Sequence, residues 1–252
     1  MGCGNWQAFE YGPAVDYNLG SPPAPLKSKL LTARAMNSRG AIILCGGQST
    51  RMGTPKAWLQ FGDETMLARV VRLLGDVCAP IVVVRSNAEQ ALPALPQEVI
   101  FTEDRQPGRG PLEGLAAGLR ALPPETEAAF VTTCDAPLIK PAFIERLFEL
   151  LGDHSAAVPV TEGFVHPLSA VYRTSILDLV EELLASDRQR PSLLIDCVAS
   201  RRVEPAELVD VDPQLDSLKN LNHPAEYLAA LALAGFRAPD DFVDQLAIRN
   251  AK

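Results

Sequence analysis

The chain has 252 residues, 47% hydrophobic and 21% charged, an ordinary globular composition with enough length to close one large core. Its 31 acidic residues outnumber 23 basic ones, and the formal charge of -8 disfavours broad binding to nucleic acid or to an anionic membrane face, so an anionic substrate needs a local cluster of positive groups. No stretch approaches the roughly 20 uninterrupted apolar residues of a bilayer span, and the start lacks the basic-then-apolar order of a secretory signal, so a cytoplasmic location is expected.

Residues 1–39 carry Pro13, Pro22, Pro23 and Pro25 without sustained periodicity and read as a flexible extension. Ala41–Cys45 is a short apolar run closed by Gly46 and Gly47, which suits a strand covered on both faces. Thr65 is a plausible N-cap for a helix with Met66, Leu67, Val70, Val71 and Leu74 on one face and Gly75 at its stop. Strands are predicted over Ile81–Val84 and Val99–Phe101, a helix opened by Pro111, a strand over Ala128–Cys134 and a helix opened by Pro141. The second half is less regular, with strands over Ala156–Val160 and Pro167–Tyr172 and helices over Ser175–Ala185 and Ala225–Ala234. This alternation predicts a three-layer α/β fold with a mostly parallel sheet over residues 40–235, followed by a tail at 236–252 that either interacts or frays.

The sharpest chemical feature is the loop from Leu44 to Lys56, with Gly46, Gly47 and Gly53 and the fixed cations Arg51 and Lys56. Paired glycines let backbone N–H groups approach phosphate oxygens, and the two cations add full charges where amides supply partial ones. Its spacing matches neither the P-loop nor the dinucleotide fingerprint. Asp135 ends an apolar strand, which delivers it to the carboxyl edge where open α/β sheets bind ligands. There it either holds Mg²⁺ or caps a turn before Pro137.

Arg85, Glu103 and Asp104 also trail predicted strands and converge on that edge, with a solvated surface role open for each of the three. Arg188 and Arg190 either hold a substrate phosphate or form a solvated cluster. Five scattered cysteines without a C-x-x-C pair and three distant histidines argue against disulfides and zinc, and no nucleophile stands beside a recognisable base.

The run Gly46 to Lys56, then Gly110-Pro111-Leu112-Glu113-Gly114, Cys134-Asp135-Ala136-Pro137 and Asn220-Leu221-Asn222-His223-Pro224, resembles the molybdenum cofactor guanylyltransferase family over roughly residues 40–232. The resemblance implies a Rossmann-like nucleotidyltransferase fold and transfer of GMP from GTP to molybdopterin, with Mg²⁺ and release of pyrophosphate. It implies nucleotide contacts from Leu44, Cys45, Gly46, Gly47, Lys56, Arg85, Asp104 and Asp135. Catalytic roles fall to Arg51, Lys56 and Asp135, the metal to Asp135, and the pterin side to Asn220 and Asn222. Molybdoenzymes or other cofactor-biosynthesis proteins are the partners such an enzyme would meet. Arg85 stands where the family commonly has a base-contacting asparagine, and Cys45 where alanine is usual. Transfer of CMP, another small-molecule nucleotidyl transfer, and non-catalytic carriage of the finished cofactor are the other readings.

Overall fold

The computed structural model describes residues 38–46, 52, 54–240 and 242–243. The expected extension, apart from its last two residues, and the end of the expected tail lie outside the described residues. So do Gly47 and Arg51.

Strand β1 (Arg39–Leu44) is buried over five of its six residues, because helices cover both sides of the sheet around it. It lies in the interior of the eight-stranded sheet. On one side it pairs in parallel with β4 (Ile81–Arg85), which pairs with the edge strand β5 (Ile100–Glu103). On the other side it pairs in parallel with β6 (Ala128–Thr133), and beyond lie β9 (Ala170–Arg173), β7 (Ala156–Thr161) and β10 (Ser200–Val203). Strand β9 runs antiparallel to both its neighbours, and the short β8 (Phe164–Val165) folds back on β7. The sheet is therefore mixed and mostly parallel.

Consecutive residues of the parallel strands point to opposite faces. Ile43, Val83 and Phe130 meet α1 (Met66–Gly75) and α3 (Pro141–Leu151). Ile42, Val82 and Val131 meet α2 (Pro111–Ala121), α4 (Leu177–Ala185) and α5 (Pro191–Cys197). Burying each such side chain contributes about 1.5–3 kcal/mol before entropy is counted. A third cluster joins the hairpin of β2 (Gln60–Phe61) and β3 (Glu64–Thr65) to α6 (Pro224–Leu233) through Phe61, Met66, Tyr227 and Leu231.

Local signals act where the sequence carries them. Thr65 Oγ1 accepts from Ala68 N at 3.3 Å and caps α1, and Pro111 and Pro141 sit in the first turns of their helices. Four strands carried no sequence prediction. Strands β2, β3 and β8 are two residues long, too short to display a period, and β10 carries Arg201 and Arg202 on a sheet edge. Helix α5 was likewise unforeseen, at seven residues. The predicted strand at Pro167 begins only at Ala170, and the helix expected from Ser175 begins at Leu177 after a 3-10 turn.

The path from β1 outward to β4 and β5, then back across β1 to β6, reverses direction at the sheet interior. A crevice opens outside the carboxyl ends of strands at such a switch point.

Candidate active site

Four strands deliver chemistry to this crevice: β1 ends at Leu44, Cys45 and Gly46, β4 leads to Ser86, β5 to Asp104, and β6 to Thr133, Cys134 and Asp135. Two adjoining cavities share Leu44, Gly46 and Thr133. One, of about 300 Å³, is walled by Val84, Ser86, Asp104, Pro111, Gly114 and Leu168. The other, of about 150 Å³, is walled by Cys45, Lys56, Gln90 and Asp135. An apolar chamber thus opens into a charged one.

In the charged chamber Lys56 Nζ donates to Asp135 Oδ2 at 2.5 Å and to Asn222 Oδ1 at 2.9 Å. Thr133 Oγ1 donates to the other carboxylate oxygen, and the Asp135 carbonyl accepts from Leu221 N at 2.9 Å. Asn222 is held in turn by Glu226, whose carboxylate accepts from the backbone N–H of Asn222 and His223 at the start of α6. Asp212 anchors the approach to this segment. Fully buried, it accepts from Lys140 Nζ at 2.6 Å and from Ser217 N at 2.8 Å, binding residues 212–217 to the loop after Asp135. The sequence reading missed Thr133, whose only signal is its position two residues before Asp135 at a strand end.

Asp135 spends two of its roughly four lone-pair positions on Lys56 and Thr133. Two remain for a hard divalent cation. Among the described residues no three His, Cys, Asp or Glu side chains gather to form a closed metal cage. The donor set therefore suits an ion that keeps water and completes its shell with substrate phosphates.

In the apolar chamber Asp104 is half-buried, and burial, reinforced by the nearby Glu113, pushes its carboxyl up to about 6. Two glycines leave the carboxylate accessible. A Cβ on Gly114 would lie 3.5 Å from Asp104 Oδ1 and 3.0 Å from Leu44 Cδ2, and one on Gly46 3.9 Å from Asp104 Oδ2. Gly110, with φ +81, turns the chain into α2, whose first residue Pro111 faces the chamber.

The remaining predicted site residues fall in different places. Cys45 lines the charged chamber as a neutral thiol, because its hydrogen bond with Cys134 and its burial hold the group well above the usual thiol range. Arg85 lines neither chamber, contrary to the contact expected of it. Strand alternation sends it to the face shared by Ile81 and Val83, where its guanidinium lies 5.8 Å from the Phe101 ring centroid and donates to Ala88 O at 3.3 Å. Ser86 takes the wall position instead. Glu103, paired in register with Arg85 on β5, is exposed. Asn222 joins the site directly, whereas Asn220 turns its Oδ1 inward, buried and without a hydrogen-bond partner among the described residues. Arg188 and Arg190 are exposed on the loop between α4 and α5.

Residues 41–202 match the MobA-like NTP transferase domain. A probable molybdenum cofactor guanylyltransferase from Methanosarcina mazei is 35% identical over 196 residues, covering 73% of this chain and 86% of that protein. The protein of the same description from Methanothermobacter thermautotrophicus is 33% identical over 191 residues, covering 73% and 94%. Among solved structures, molybdopterin-guanine dinucleotide biosynthesis protein A from Archaeoglobus fulgidus superposes with a TM-score of 0.65 at 22% identity, covering 78% of this chain and 98% of that one. The 2-C-methyl-D-erythritol 4-phosphate cytidylyltransferase from Thermus thermophilus gives 0.53 at 20% identity, with the same coverage. These two likenesses establish the α/β nucleotidyltransferase fold. With the family match spanning most of the chain, and relatives above 30% identity covered over most of their length, this chain belongs to the MobA-like NTP transferase family.

Proposed function

We propose that this protein transfers GMP from GTP to molybdopterin and releases pyrophosphate, in a Mg²⁺-dependent reaction. The observation that carries the reading is the meeting of Lys56, Asp135 and Asn222 where a base-sized apolar chamber joins a polar one. The names of the relatives support the same substrates. In this reading a terminal phosphate oxygen of molybdopterin attacks the α-phosphorus of GTP in line. The bond from that phosphorus to the α,β-bridging oxygen breaks, and the electron pair leaves with pyrophosphate. Positioning and charge dispersal are the tasks of the protein.

Asp104 takes the base. The Watson–Crick edge of guanine offers N1–H and an N2 amino group, two adjacent donors for one ionised carboxylate, whereas cytosine offers a single amino group. Lys56 releases Asp135 and neutralises phosphate oxygens, and Asn222 keeps its ammonium oriented toward the junction of the chambers. A bound Mg²⁺, held by Asp135, would supply compensating positive charge to the phosphates. Gly47 and Arg51 complete the phosphate cradle, Arg51 steadying the departing pyrophosphate, and Asn220 serves the pterin side. A cytoplasmic location belongs to the same proposal; among the described residues no helix is long and apolar enough to cross a membrane.

The test is release of pyrophosphate in the presence of Mg²⁺ and molybdopterin with GTP, CTP, ATP or UTP supplied in turn. GTP is expected to be strongly preferred. A preference for CTP replaces the guanylyl reading with a cytidylyl one, and tight pterin binding without pyrophosphate from any triphosphate makes the protein a carrier.

A further inference from the structure

Strands β1 and β4 pair in parallel from Ala41↔Ile81 to Leu44↔Val84, with Ala41 N donating to Pro80 O and Cys45 N to Val84 O, each at 2.9 Å. In that register the next rung should be Ser86 N donating to Cys45 O. The side-chain amide of Gln90 stands in its place. Ser86 N donates to Gln90 Oε1 at 2.7 Å, Ser86 Oγ donates to the same oxygen at 2.9 Å, and Gln90 Nε2 donates to Cys45 O at 2.8 Å.

We propose that Gln90 is a positioning residue whose carboxamide wedges β1 and β4 apart at the carboxyl edge and sets the width of the nucleotide crevice. A carboxamide carries one acceptor and one donor edge like a peptide unit, so it can replace a ladder bond while keeping both backbone groups satisfied. Two hydrogen bonds and an amide then span a gap that one bond would otherwise close. The splay falls where it matters: Ser86 walls the apolar chamber, Cys45 and Gln90 wall the charged one, and Gly46 lines both.

The wedge is held from behind. Gln90 N donates to Asn87 O at 3.2 Å and Glu89 N to Asn87 Oδ1 at 3.0 Å, a turn that aims the side chain inward. Arg85 grips the same loop at Ala88 O. Trp58 Nε1 donates to Ala91 O at 3.1 Å, which ties the loop to the turn bearing Lys56. Crevice width and the position of the catalytic ammonium are thereby set by one loop.

The proposal rests on the nucleotidyl-transfer reading, and its test separates the two. GTP affinity by equilibrium titration, the KM for each substrate and the thermal midpoint are compared for wild type, Gln90→Leu and Gln90→Glu. Leucine cannot bridge, so Ser86 N and Cys45 O close directly. Glutamate keeps the acceptor for Ser86 but sets a carboxylate oxygen against the Cys45 carbonyl. Both variants are expected to bind GTP about tenfold more weakly or worse, the scale of losing a pair of neutral hydrogen bonds. The KM for molybdopterin should stay unchanged, and the thermal midpoint should move by only a few degrees. Wild-type GTP affinity in Gln90→Glu overturns the wedge, as does a parallel loss of affinity for both substrates together with a collapse of the midpoint in both variants. A wild type that binds GTP but transfers nothing overturns only the reaction, and the comparison of affinities still decides the wedge. A wild type that binds no triphosphate overturns both.

Discussion

Lys56 and Asp135 are 79 residues apart in sequence, yet Nζ and Oδ2 meet at 2.5 Å, with the two side chains only 17% and 11% exposed. At that burial the attraction exceeds that of a surface pair, and each group neutralises the other while the site is empty of anions. A polyphosphate entering the chamber can exchange with the carboxylate for the ammonium. Replacing Lys56 by methionine keeps the stem and removes the charge, and Asp135 still accepts from Thr133. Pyrophosphate release is expected to fall on the order of 10²-fold or more, the scale of losing one preorganised charge-stabilising donor. Circular dichroism should stay native. Turnover within a few-fold of wild type would remove Lys56 from the chemistry.

Asp104 gives the site a pH dependence with a definite sign. Its carboxyl lies at about 6 in the folded chain against 3.8 for the free group, so it is protonated in acid and becomes a full acceptor for the base only as pH rises through about 6. The KM for GTP should therefore fall across that interval and level off above it. Stability runs the other way. Between the two values the native state holds a proton that the unfolded chain has released, so the contribution of this group is lost as pH rises through the window. Asp104→Asn is expected to raise the thermal midpoint at neutral pH, with the gain shrinking below about pH 4. The same change should weaken GTP binding by about tenfold to a hundredfold, since an amide offers one acceptor where guanine presents two donors. A KM for GTP that does not vary with pH would separate Asp104 from the base.

Gly118 tests the close approach of α2 to the sheet. A Cβ there would fall 2.4 Å from Ile42 Cγ2 and about 3 Å from two further atoms of the same side chain, which is fully buried and cannot swing away. Helix propensity alone favours Ala over Gly by about 1 kcal/mol. Overpacking costs about 1–3 kcal/mol and should prevail, lowering the midpoint of Gly118→Ala. In a double-mutant cycle Ile42→Ala should cost less in the Gly118→Ala background than in wild type, because truncating Ile42 clears the space that the added methyl needs. Additive losses would mean that the backbone had moved instead.

The strands and helices legible in the sequence are those whose burial imposes a period. The uninterrupted run at Ile42 and Ile43 announces a strand covered twice, and Thr65 or Pro111 marks a helix start by its own chemistry. Lys56 and Asp135 were also legible, each by its place after a strand. Their contact was not, since nothing local in either segment encodes a meeting 79 residues away. Gln90 escaped because its role depends on which strand lies alongside, whereas Thr133 acts locally, two residues from Asp135, and a threonine at a strand end carries no sharper signal of its own. Arg85 lies elsewhere than expected for a related reason. Trailing a strand puts a residue at the correct edge, but the face follows from parity, and parity sends Arg85 toward Phe101 and Ser86 toward the chamber.

That parity yields a last expectation. If Arg85 faced the base, replacing it by asparagine would change the ratio of GTP to CTP turnover. Here its guanidinium instead steadies the Ala88 carbonyl behind Gln90 and stacks on Phe101. Arg85→Asn should therefore raise the KM for both triphosphates together, by a few-fold, the size of one surface-type hydrogen bond and an exposed cation–π contact. Their ratio should stay constant. Competition between GTP and CTP in a single reaction measures that ratio directly, and a shift of about tenfold or more toward either nucleotide, a full 1.4 kcal/mol of discrimination, would put Arg85 back against the base.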